Sequence, residues 1–456
     1  MPPKPTLPPG PHVPPIVTTW QWLRRPFELL EACEARYGDA FTLRFAGLPP
    51  LVMYSRPEDV KEIFSDDGSL LHAGEFNLQL KAFLGESSVL MLDGKEHMRQ
   101  RRLLLPPFHG ERMQAYGQAM LDVADDTIDR WPLGTPFPIH SPMQALTLQI
   151  ILRTVFGVDG VARLARFDRL MTELLDIAAW APLLVPFMQK DLGPWSPWGK
   201  YVRKRDESDE MVYAEIRERR AQGSRGRTDI LSMLLEARDE DGRAMSDEEL
   251  HDELGTLLVA GHETTATALA WTFRWLLEKP DIAARLRAEM AVAEKDGPLT
   301  PERIAKLELL DAVVREALRL QPVIPLVGRV LQRPARVGGY DLPAGTSVLC
   351  SIYLAQRRPD AYPRPREFFP DRFLGKKLSP NEFFPFGGGV RRCIGMAFAL
   401  YEMKMVVARV LSRATLSLAN EAPVRVVRRS ITLTPSEGLR VRLDARLPRA
   451  AGAKAA

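Results

Sequence analysis

The sequence predicts a mainly α-helical protein with small β-sheets, in the α+β class. Three observations favour this class: helical periodicity recurs from about residue 20 to about residue 445, one helical segment is unusually long, and strand-like segments are few and short. The chain has 456 residues, 45% hydrophobic and 26% charged, which is enough to bury a large core. Because no repeat or low-complexity linker divides the chain, residues 20–445 are predicted to form a single domain.

The longest predicted helix begins at Ser246 and continues almost to Pro280. The stretch SDEE forms a capping box, in which Ser246 accepts a hydrogen bond from the Glu249 N–H while the Glu249 side chain reaches back. About 33 residues in a helix measure about 50 Å, so this helix can cross the whole domain as a central spine.

Proline and glycine delimit the other elements. Helices are predicted over residues 93–105 and 309–321, and they stop at Pro106 and Pro322 because proline lacks an N–H and clashes with the preceding turn. Segments rich in β-branched and aromatic residues predict the strands. They are a hairpin of residues 41–45 and 51–55, a strand at 346–354 and a hairpin within 431–443.

The two ends of the chain are predicted to lie outside the domain. The first fifteen residues contain eight prolines, which favours an extended strap on the surface over residues 1–19. This segment lacks the continuous apolar core of a signal peptide or membrane anchor. The apolar segment 177–188 is too short to span a bilayer, and we expect it to pack or to form a mobile roof over a pocket. Residues 446–456 are predicted to be a disordered tail.

Charge and cysteine content narrow the class of protein. Lysine and arginine number 62 against 58 for aspartate and glutamate, a formal charge of +4 that is spread along the chain. Nucleic acid is therefore not an expected partner, although a local basic face could receive an acidic protein. Three cysteines do not make a disulfide framework and favour a reducing compartment. We expect a soluble, cytoplasmic monomer without an integral membrane anchor.

The stretch PFGGGVRRCIG, residues 385–395, surrounds Cys393 with four glycines and two arginines. Glycines let backbone N–H groups turn toward the sulfur, and nearby cations favour the thiolate, which is the metal-binding form. A lone cysteine is ordinarily a small hydrophobic residue, and this is the interpretation given to Cys33 and Cys350. For Cys393 the spacing F-x-x-G-x-R-x-C-x-G favours a ligand.

This pattern closely resembles the haem-binding loop of the cytochrome P-450 family of haem-thiolate monooxygenases. The resemblance implies the cytochrome P-450 fold, with its long central helix over haem b. It also implies that Cys393 is the axial ligand to the iron, with Gly395 in the same loop. Phe386 would pack beside the loop, and Arg391 would face a haem propionate. Three further motifs of the chain resemble those of the family and stand in the family's order. Together they extend the resemblance over nearly the whole chain.

Glu316 and Arg319 form an E-x-x-R pair on one helix face, a spacing that is common at surfaces. In relatives, the arginine of a segment like FFPDRF, here Arg372, joins the pair in a buried network that steadies the haem loop. Because buried charges must be paired, loss of any member is expected to damage folding or haem retention. One departure is Gln356, where many relatives carry histidine, and it leaves one structural contact open.

The stretch AGHETT, residues 260–265, lies midway along the long helix and resembles the family's oxygen-binding segment. Threonine hydroxyls compete for helix carbonyls, so an acid beside two threonines is poor helix material. The resemblance implies that Ala260 leaves room over the haem while Glu263 and Thr264 guide protons to the oxygen. Thr265 is expected to pack or to bond back to the helix.

His97 and Arg101 stand one helical turn apart and match a pair that binds the haem propionates in relatives. Arg329 matches a further propionate-binding position. Carboxylates that are partly buried require such cationic donors.

The resemblance also indicates where a substrate would bind. The segments of this chain that correspond to the pocket lining of relatives are almost entirely apolar. This favours a hydrophobic substrate such as a fatty acid, terpenoid, steroid or polyketide, although several of these side chains could simply be core. The predicted pocket residues are Phe76, Phe83, Val259, Ala260, Ile324 and Val327.

The expected function is insertion of one oxygen atom from O2 into that substrate, by hydroxylation or epoxidation. We expect no flavin or iron–sulfur domain, and electrons from NAD(P)H are therefore expected to arrive through a separate ferredoxin or flavodoxin and its reductase. An acidic carrier would dock on a basic face near Arg99, Arg102, Arg392 and Lys404. Two alternatives stay open: a peroxide-driven haem peroxygenase, and a haem-based binding or sensing protein without turnover.

Overall fold

A computed structural model describes residues 7–449 except 111, 181–182, 184–187, 377, 421 and 430. The helices are α1 Pro15–Arg24, α2 Pro26–Tyr37, α3 Pro57–Phe64, α4 Ala73–Phe76, α5 Lys81–Leu84, α6 Gly94–Leu104, α7 Arg112–Arg130, α8 His140–Thr154, α9 Val161–Ala178, α10 Pro197–Gln222, α11 Ile230–Glu236, α12 Asp247–Glu278, α13 Pro280–Glu294, α14 Pro301–Ala305, α15 Glu308–Leu320, α16 Ile352–Ala355 and α17 Met396–Arg413. The strands are β1 Ala40–Leu43, β2 Leu51–Tyr54, β3 Leu71–His72, β4 Phe137–Pro138, β5 Leu326–Leu331, β6 Ala335–Val337, β7 Tyr340–Leu342, β8 Ser347–Ser351, β9 Ala414–Leu418, β10 Val426–Arg429, β11 Thr432–Pro435 and β12 Arg440–Arg446.

Helix α12 is the central spine that the capping box predicts. The Glu249 N–H donates to Ser246 Oγ at 3.1 Å, and the Ser246 N–H donates to Glu249 Oε2 at 2.8 Å. Proline at residue 280 follows its last turn. Helices α8, α15 and α17 pack against α12, and α7 packs on α8 and α17; their apolar faces form the largest hydrophobic cluster among the described residues. The helices predicted at 93–105 and 309–321 are α6 and α15, each within a residue of the predicted bounds.

A five-stranded sheet with the order β1-β2-β8-β5-β3 lies beside this helical core. Strands β1 and β2 form the predicted antiparallel hairpin, with Phe41 opposite Met53. The strand predicted at 346–354 is too long, because β8 ends at Ser351. There the Ser351 hydroxyl accepts the Leu354 N–H at 3.3 Å and starts a turn of helix.

The hairpin predicted within residues 431–443 is wrong. Strand β11 pairs with β10, whereas β12 pairs with β9 and β4 in a different sheet. The connection between β11 and β12 includes Glu437 and Leu439, both with positive φ. The alternating pattern predicts the strands correctly, but their partners are set by segments elsewhere in the chain.

The proline-rich segment lies along β1, where Thr42 N donates to Pro9 O at 2.9 Å and Thr42 Oγ1 donates to Pro8 O at 2.7 Å. Helix α1 begins at Pro15, so the extended part ends earlier than the predicted residue 19. At the other end, Leu447 N donates to the Arg413 carbonyl at 2.8 Å, so the chain still contacts the fold beyond residue 446. Residues 450–456 of the predicted tail lie outside the described residues. Among the described helices, none is both long and apolar enough to cross a bilayer.

Candidate functional site

The cysteine loop precedes α17 and is shaped by its glycines. Gly387 and Gly389 adopt positive φ values of 67° and 64°, which favour glycine. A Cβ on Gly389 would lie 2.1 Å from the Phe64 carbonyl oxygen, so a larger residue would have to displace α3. The Cys393 N–H donates to the Phe386 carbonyl at 2.9 Å, which closes the loop around the sulfur.

Cys393 is accessible to solvent although it lies deep in the protein, as a side chain on the wall of a recess would. Burial raises the pKa of its thiol. The Gly395 N–H and the charges of Arg101 and Arg392 act in the opposite direction and favour the thiolate. Cys33 and Cys350 are fully buried, and burial raises the pKa of the Cys33 thiol to about 11 and that of Cys350 to about 12. Cys393 therefore has the accessibility and the donors that a metal-ligating thiolate needs.

Four cationic or hydrogen-bond-donating side chains form one cluster. They are His97, Arg101, Arg329 and Arg391. His97 from α6 is buried, and desolvation together with the charges of Arg391, Arg101 and Arg329 lowers its pKa to about 3. Arg329 from β5 is also buried, and burial lowers its pKa. The structure thus brings together the four residues that the sequence predicts as propionate ligands. Such a concentration of buried positive charge calls for an anionic partner.

Sequence reasoning missed Asp93, which connects Arg391 to a distant part of the chain. Arg391 Nη2 donates to the Asp93 carboxylate and to the Leu92 carbonyl. The same carboxylate accepts the N–H groups of Ala73 and Gly74 at 2.9 and 3.0 Å, and so caps α4. Its position directly before α6 is typical of an N-cap residue, but its side chain makes no cap bond to α6, so no local pattern predicted these partners.

These residues fit a haem group. A thiolate sulfur is a ligand that haem iron accepts, and the cluster of His97 with three arginines suits the two carboxylates at the porphyrin edge. Asp93 offsets part of the positive charge, which leaves the cluster still in need of anions. Burial dominates over Asp93 and lowers the pKa of Arg391 to about 10.

The middle of α12 also opens onto a recess. Ala260 is exposed, although α12 lies within the main core. Thr264 Oγ1 donates to the Ala260 carbonyl at 2.5 Å, the back-bond to the preceding turn that threonine makes in helices. Thr265 is buried, as expected.

The side chains of Glu263 and Thr264 contact different parts of the fold. Its Oε2 accepts Gln144 Nε2 of α8 at 2.6 Å, and its Oε1 lies 3.5 Å from Arg429 Nε and 3.7 Å from His140 Nε2. Burial raises the pKa of this carboxyl, and the Arg429 charge partly opposes the effect. The two residues that the sequence predicts to work together therefore share no side-chain hydrogen bond in the described part of the chain.

The predicted network around Glu316 is present and buried. Arg319 Nε and Nη2 donate to the two Glu316 oxygens at 2.7 and 2.9 Å, and Arg372 Nε donates to Oε1 at 3.1 Å. Glu316 also accepts the Phe369 N–H at 2.8 Å. Tyr362, which sequence reasoning missed, places its ring 4.9 Å from the Arg319 guanidinium.

Gln356 makes the contact that the departure from the family pattern left open. It is fully buried, and its Nε2 donates to the Leu318 and Arg319 carbonyls at 3.3 and 3.2 Å. Its Oε1 accepts the Phe384 N–H at 3.2 Å. The amide therefore ties α15 to the segment that leads into the cysteine loop.

The predicted pocket residues fall into two groups. Phe76 lies over the backbone of Gly328, where a Cβ would approach its ring to 2.5 Å, and Val327 faces Gly387 of the cysteine loop. Phe83 instead packs on Trp198 and Tyr201 of α10, with ring centroids 5.8 and 5.0 Å away. Val259 and Ile324 are half-buried. Within the apolar segment 177–188, Leu183 is buried against this α10 group, while residues 181–182 and 184–187 lie outside the described residues.

Most of the predicted basic face is neutralised by neighbouring acids. Arg99 binds Asp239 and Glu249, Arg102 binds Glu240, and Lys404 lies 3.4 Å from Asp311. Arg392 is exposed, and its Nη2 donates to Met396 Sδ at 3.0 Å. Of the four, Arg392 has no carboxylate partner within the described ranges.

Comparison with known proteins also indicates a haem-binding protein, of the class that the sequence resembles. The sequence profile of the cytochrome P-450 family matches residues 8–442. Cytochromes P-450 135B1 and 135A1 of Mycobacterium tuberculosis are each 40% identical to the chain; each alignment covers 96% of the chain and, respectively, 92% and 95% of the relative. The cyanobacterial CYP120A1 with bound retinoic acid superposes with a TM-score of 0.84 at 25% identity, over 97% of the chain and 100% of that structure. The haem domain of cytochrome P-450DA gives 0.84 at 27% identity, over 97% and 98%.

The central helix, the glycine-rich cysteine loop and the cationic cluster define a haem-thiolate protein. The chain belongs to the cytochrome P-450 family and is a haem monooxygenase. Haem bound through a cysteine thiolate follows from that membership, and the predicted fold class is confirmed.

Proposed function

We propose that the protein hydroxylates or epoxidises an apolar compound with one oxygen atom from O2. The observation that carries this proposal is the accessible Cys393 sulfur in the neighbourhood of Arg101, itself part of the cationic cluster around His97. When bound, the haem group supplies the iron at which dioxygen is activated. The chain's own residues hold that group, exclude water and deliver protons.

Each residue has a separate task in this proposal. Cys393 binds the iron as a thiolate, which the Gly395 N–H and nearby arginines favour. His97, Arg101 and Arg329 donate hydrogen bonds to the propionates. Thr264 Oγ1 holds a proton at the exposed part of α12, where its back-bond to Ala260 orients the hydroxyl.

Glu263 is the proposed proton source for Thr264. Because burial raises its pKa, Glu263 retains a proton to higher pH than an ordinary carboxyl group. It is held by Gln144 and lies close to Arg429. A carboxyl whose pKa is raised in this way holds a proton that it can donate, which suits general acid catalysis.

The substrate is proposed to be a fatty acid, terpenoid, steroid or polyketide held mainly by burial of apolar surface. The half-buried Phe76 and Val327 border the cysteine loop and strand β5, and Ala260 leaves a small side chain on α12. A structural neighbour was solved with retinoic acid, an elongated and mostly apolar molecule. This supports an apolar substrate class.

Electrons are proposed to come from NAD(P)H through a ferredoxin or flavodoxin and its reductase, in the cytoplasm. Arg392 is exposed and close enough to Cys393 to favour its thiolate, which makes it the best-placed basic contact for an acidic carrier. Arg392→Glu is expected to slow reduction and to weaken its salt dependence, measured by stopped-flow absorbance. Unchanged rates would exclude this face.

Two measurements test the proposed function. A spin-shift screen of the ferric protein against apolar compounds finds ligands, and turnover with a surrogate redox chain shows whether they are oxidised. We expect Cys393→Ala to lose the thiolate spectrum of the reduced carbon monoxide complex and all product. Product formed only with added peroxide would favour the peroxygenase, and tight binding without any product would favour a sensor.

A further inference from the structure

Helices α8 and α12 bury polar side chains between them. His140, the first residue of α8, is 4% exposed, and Thr267 of α12 is fully buried. Gln144, one turn after His140, donates to Glu263. Because burying polar groups costs free energy that a purely apolar helix contact avoids, folding alone does not explain this arrangement.

The ring of His140 lies between Thr267 and Glu263. Its Nε2 is 3.0 Å from Thr267 Oγ1 and 3.7 Å from Glu263 Oε1. That carboxyl oxygen is buried and makes no hydrogen bond among the residues that the structure describes. Arg429 Nε also faces it, at 3.5 Å. A guanidinium keeps its protons, whereas an imidazole can accept a proton at one nitrogen and release one from the other. Of these two neighbours, His140 is therefore the one that can exchange a proton with Glu263.

His140 also lies beneath a turn at the protein surface. The turn Ser436–Gly438 follows β11, and it includes Glu437, which is exposed, and Gly438, which is half-buried. A Cβ built on Gly438 would lie 3.4 Å from His140 Cβ. The Ile139 N–H, next to His140, donates to the Leu439 carbonyl at 3.0 Å and fixes this contact. The side chain of His140 therefore begins under the surface turn and ends at the buried carboxyl.

We propose that His140 relays protons to Glu263 from the solvent at the turn Ser436–Gly438. In each transfer, Nε2–H gives its proton to the ionised Glu263 Oε1 while Nδ1 takes a proton from solvent, so the ring ends neutral. A flip of the ring then restores the starting tautomer. The transfer requires the 3.7 Å gap to shorten to about 3 Å by a small rotation of the carboxyl or the ring. The relay rests on the proposed role of Glu263 as the proton source for Thr264.

The charges around His140 suit a residue that passes protons on. Burial, together with the charges of Arg429 on β10 and His262 on α12, lowers the pKa of His140 to about 4. The ring is therefore neutral near pH 7. Burial instead raises the pKa of Glu263, and the Asp176 charge on α9 acts in the same direction, although Arg429 opposes it. A proton is therefore more stable on the carboxyl than on the imidazole.

Proton exchange at Glu263 tests the relay without any substrate. The holoprotein is mixed rapidly with D2O at the lowest pH at which its thiolate spectrum is stable, and the infrared C=O band of the protonated carboxyl is followed as it shifts. The band is assigned by its absence in Glu263→Gln. We expect exchange in His140→Gln to be at least about tenfold slower, because glutamine can keep the bond to Thr267 but cannot relay a proton.

Three further variants make the test specific. His109→Gln is the same change at an exposed position and is expected to exchange like the wild type. Thr267→Val removes the hydrogen-bond partner of the His140 ring and is expected to slow exchange by a smaller factor. Asp176→Asn alters the carboxylate that binds Arg429 on the α9 side of Glu263, and it is expected to leave the rate unchanged.

The outcomes separate the relay from the proposed function. A wild-type exchange rate in His140→Gln, or in Thr267→Val where His140→Gln does not hold haem, would overturn the relay. So would slower exchange in Asp176→Asn than in His140→Gln, or the absence of any C=O band that depends on Glu263. The proposed role of Glu263 is judged by a different measurement, the product formed per O2 in Glu263→Gln, which must fall if Glu263 supplies protons.

Discussion

Glu263 and Thr264 are neighbours in the chain, yet their side chains bind in different directions. The Glu263 carboxylate accepts Gln144 Nε2 at 2.6 Å, whereas Thr264 Oγ1 donates to the Ala260 carbonyl at 2.5 Å. Successive helical residues are rotated by about 100° around the axis, which separates the two groups. The proposed proton transfer therefore divides into a hydroxyl at the recess and a carboxyl held behind it.

Removing the Thr264 hydroxyl is expected to uncouple oxygen use from product formation. In Thr264→Ala the product formed per O2 consumed should fall at least about tenfold, with hydrogen peroxide rising, because the proton is no longer positioned. Thr264→Ser should retain most coupling. Oxygen-electrode and product measurements check this, with Thr265→Ala as the control, since that side chain is buried. Wild-type coupling in Thr264→Ala would refute the proton role.

Stability is expected to fall in acid because of His262. This residue lies on the buried side of α12, and desolvation together with the Arg429 charge lowers its pKa to about 4. The unfolded chain, with a histidine pKa of about 6.5, therefore binds the proton first as the pH falls. The stability that neutral, buried His262 contributes is fully present above about pH 6.5 and is lost as the pH falls toward 4. At pH 5 the free energy of unfolding is lower by about 2 kcal/mol.

His262→Gln should remove this part of the pH dependence. The check is the free energy of unfolding in guanidinium chloride at about pH 7 and about pH 5, with exposed His109→Gln as the control. His140 on α8 shares a hydrogen bond with Thr267 at 3.0 Å, and burial lowers its pKa to about 4. It is expected to add a loss of unfolding free energy in acid similar to that of His262. An unchanged difference between the two pH values in His262→Gln would contradict the prediction.

Breaking the Glu316 network is expected to cost about 3–5 kcal/mol of unfolding free energy. Glu316→Gln leaves Arg319 and Arg372 buried without their common counter-charge. Urea unfolding and haem retention on gel filtration measure the effect. Glu308→Gln, an exposed change on the same helix, should stay within about 0.5 kcal/mol of the wild type. Equal stability of the two variants would show that the network is not structural.

Asp93→Asn is expected to raise the reduction potential of the bound haem. The amide can still accept the Ala73 N–H, but it no longer offsets the positive charge of Arg391. Loss of a negative charge from the haem-binding cluster disfavours the more positive ferric state. Spectroelectrochemical titration checks the direction of the shift. The control is Asp67→Asn, an exposed aspartate that likewise accepts a backbone N–H, from Ser69 at 2.9 Å. A lower or unchanged potential in Asp93→Asn would oppose this role.

The sequence predicted features correctly where they depend on a local sequence pattern or where the family resemblance names the interacting residues. The capping box of Ser246 and Glu249 forms as expected, and His97 lies with the three arginines assigned to the same group. The predicted basic face is different, because its arginines are paired with Asp239, Glu249 and other acids from segments that are distant in the sequence. Net charge along a sequence does not show which charges are already paired.

The sequence by itself determined the helices, the strand segments and the cysteine loop, because those features depend on periodicity, caps and glycines within a few residues of each other. Only the tertiary structure decided that Arg391 binds Asp93, that Glu263 faces Arg429 and that β11 pairs with β10 rather than β12. It also decided that α1 turns its apolar side outward. Such partners are set by which buried groups must be satisfied when distant segments meet, and no local pattern records that requirement.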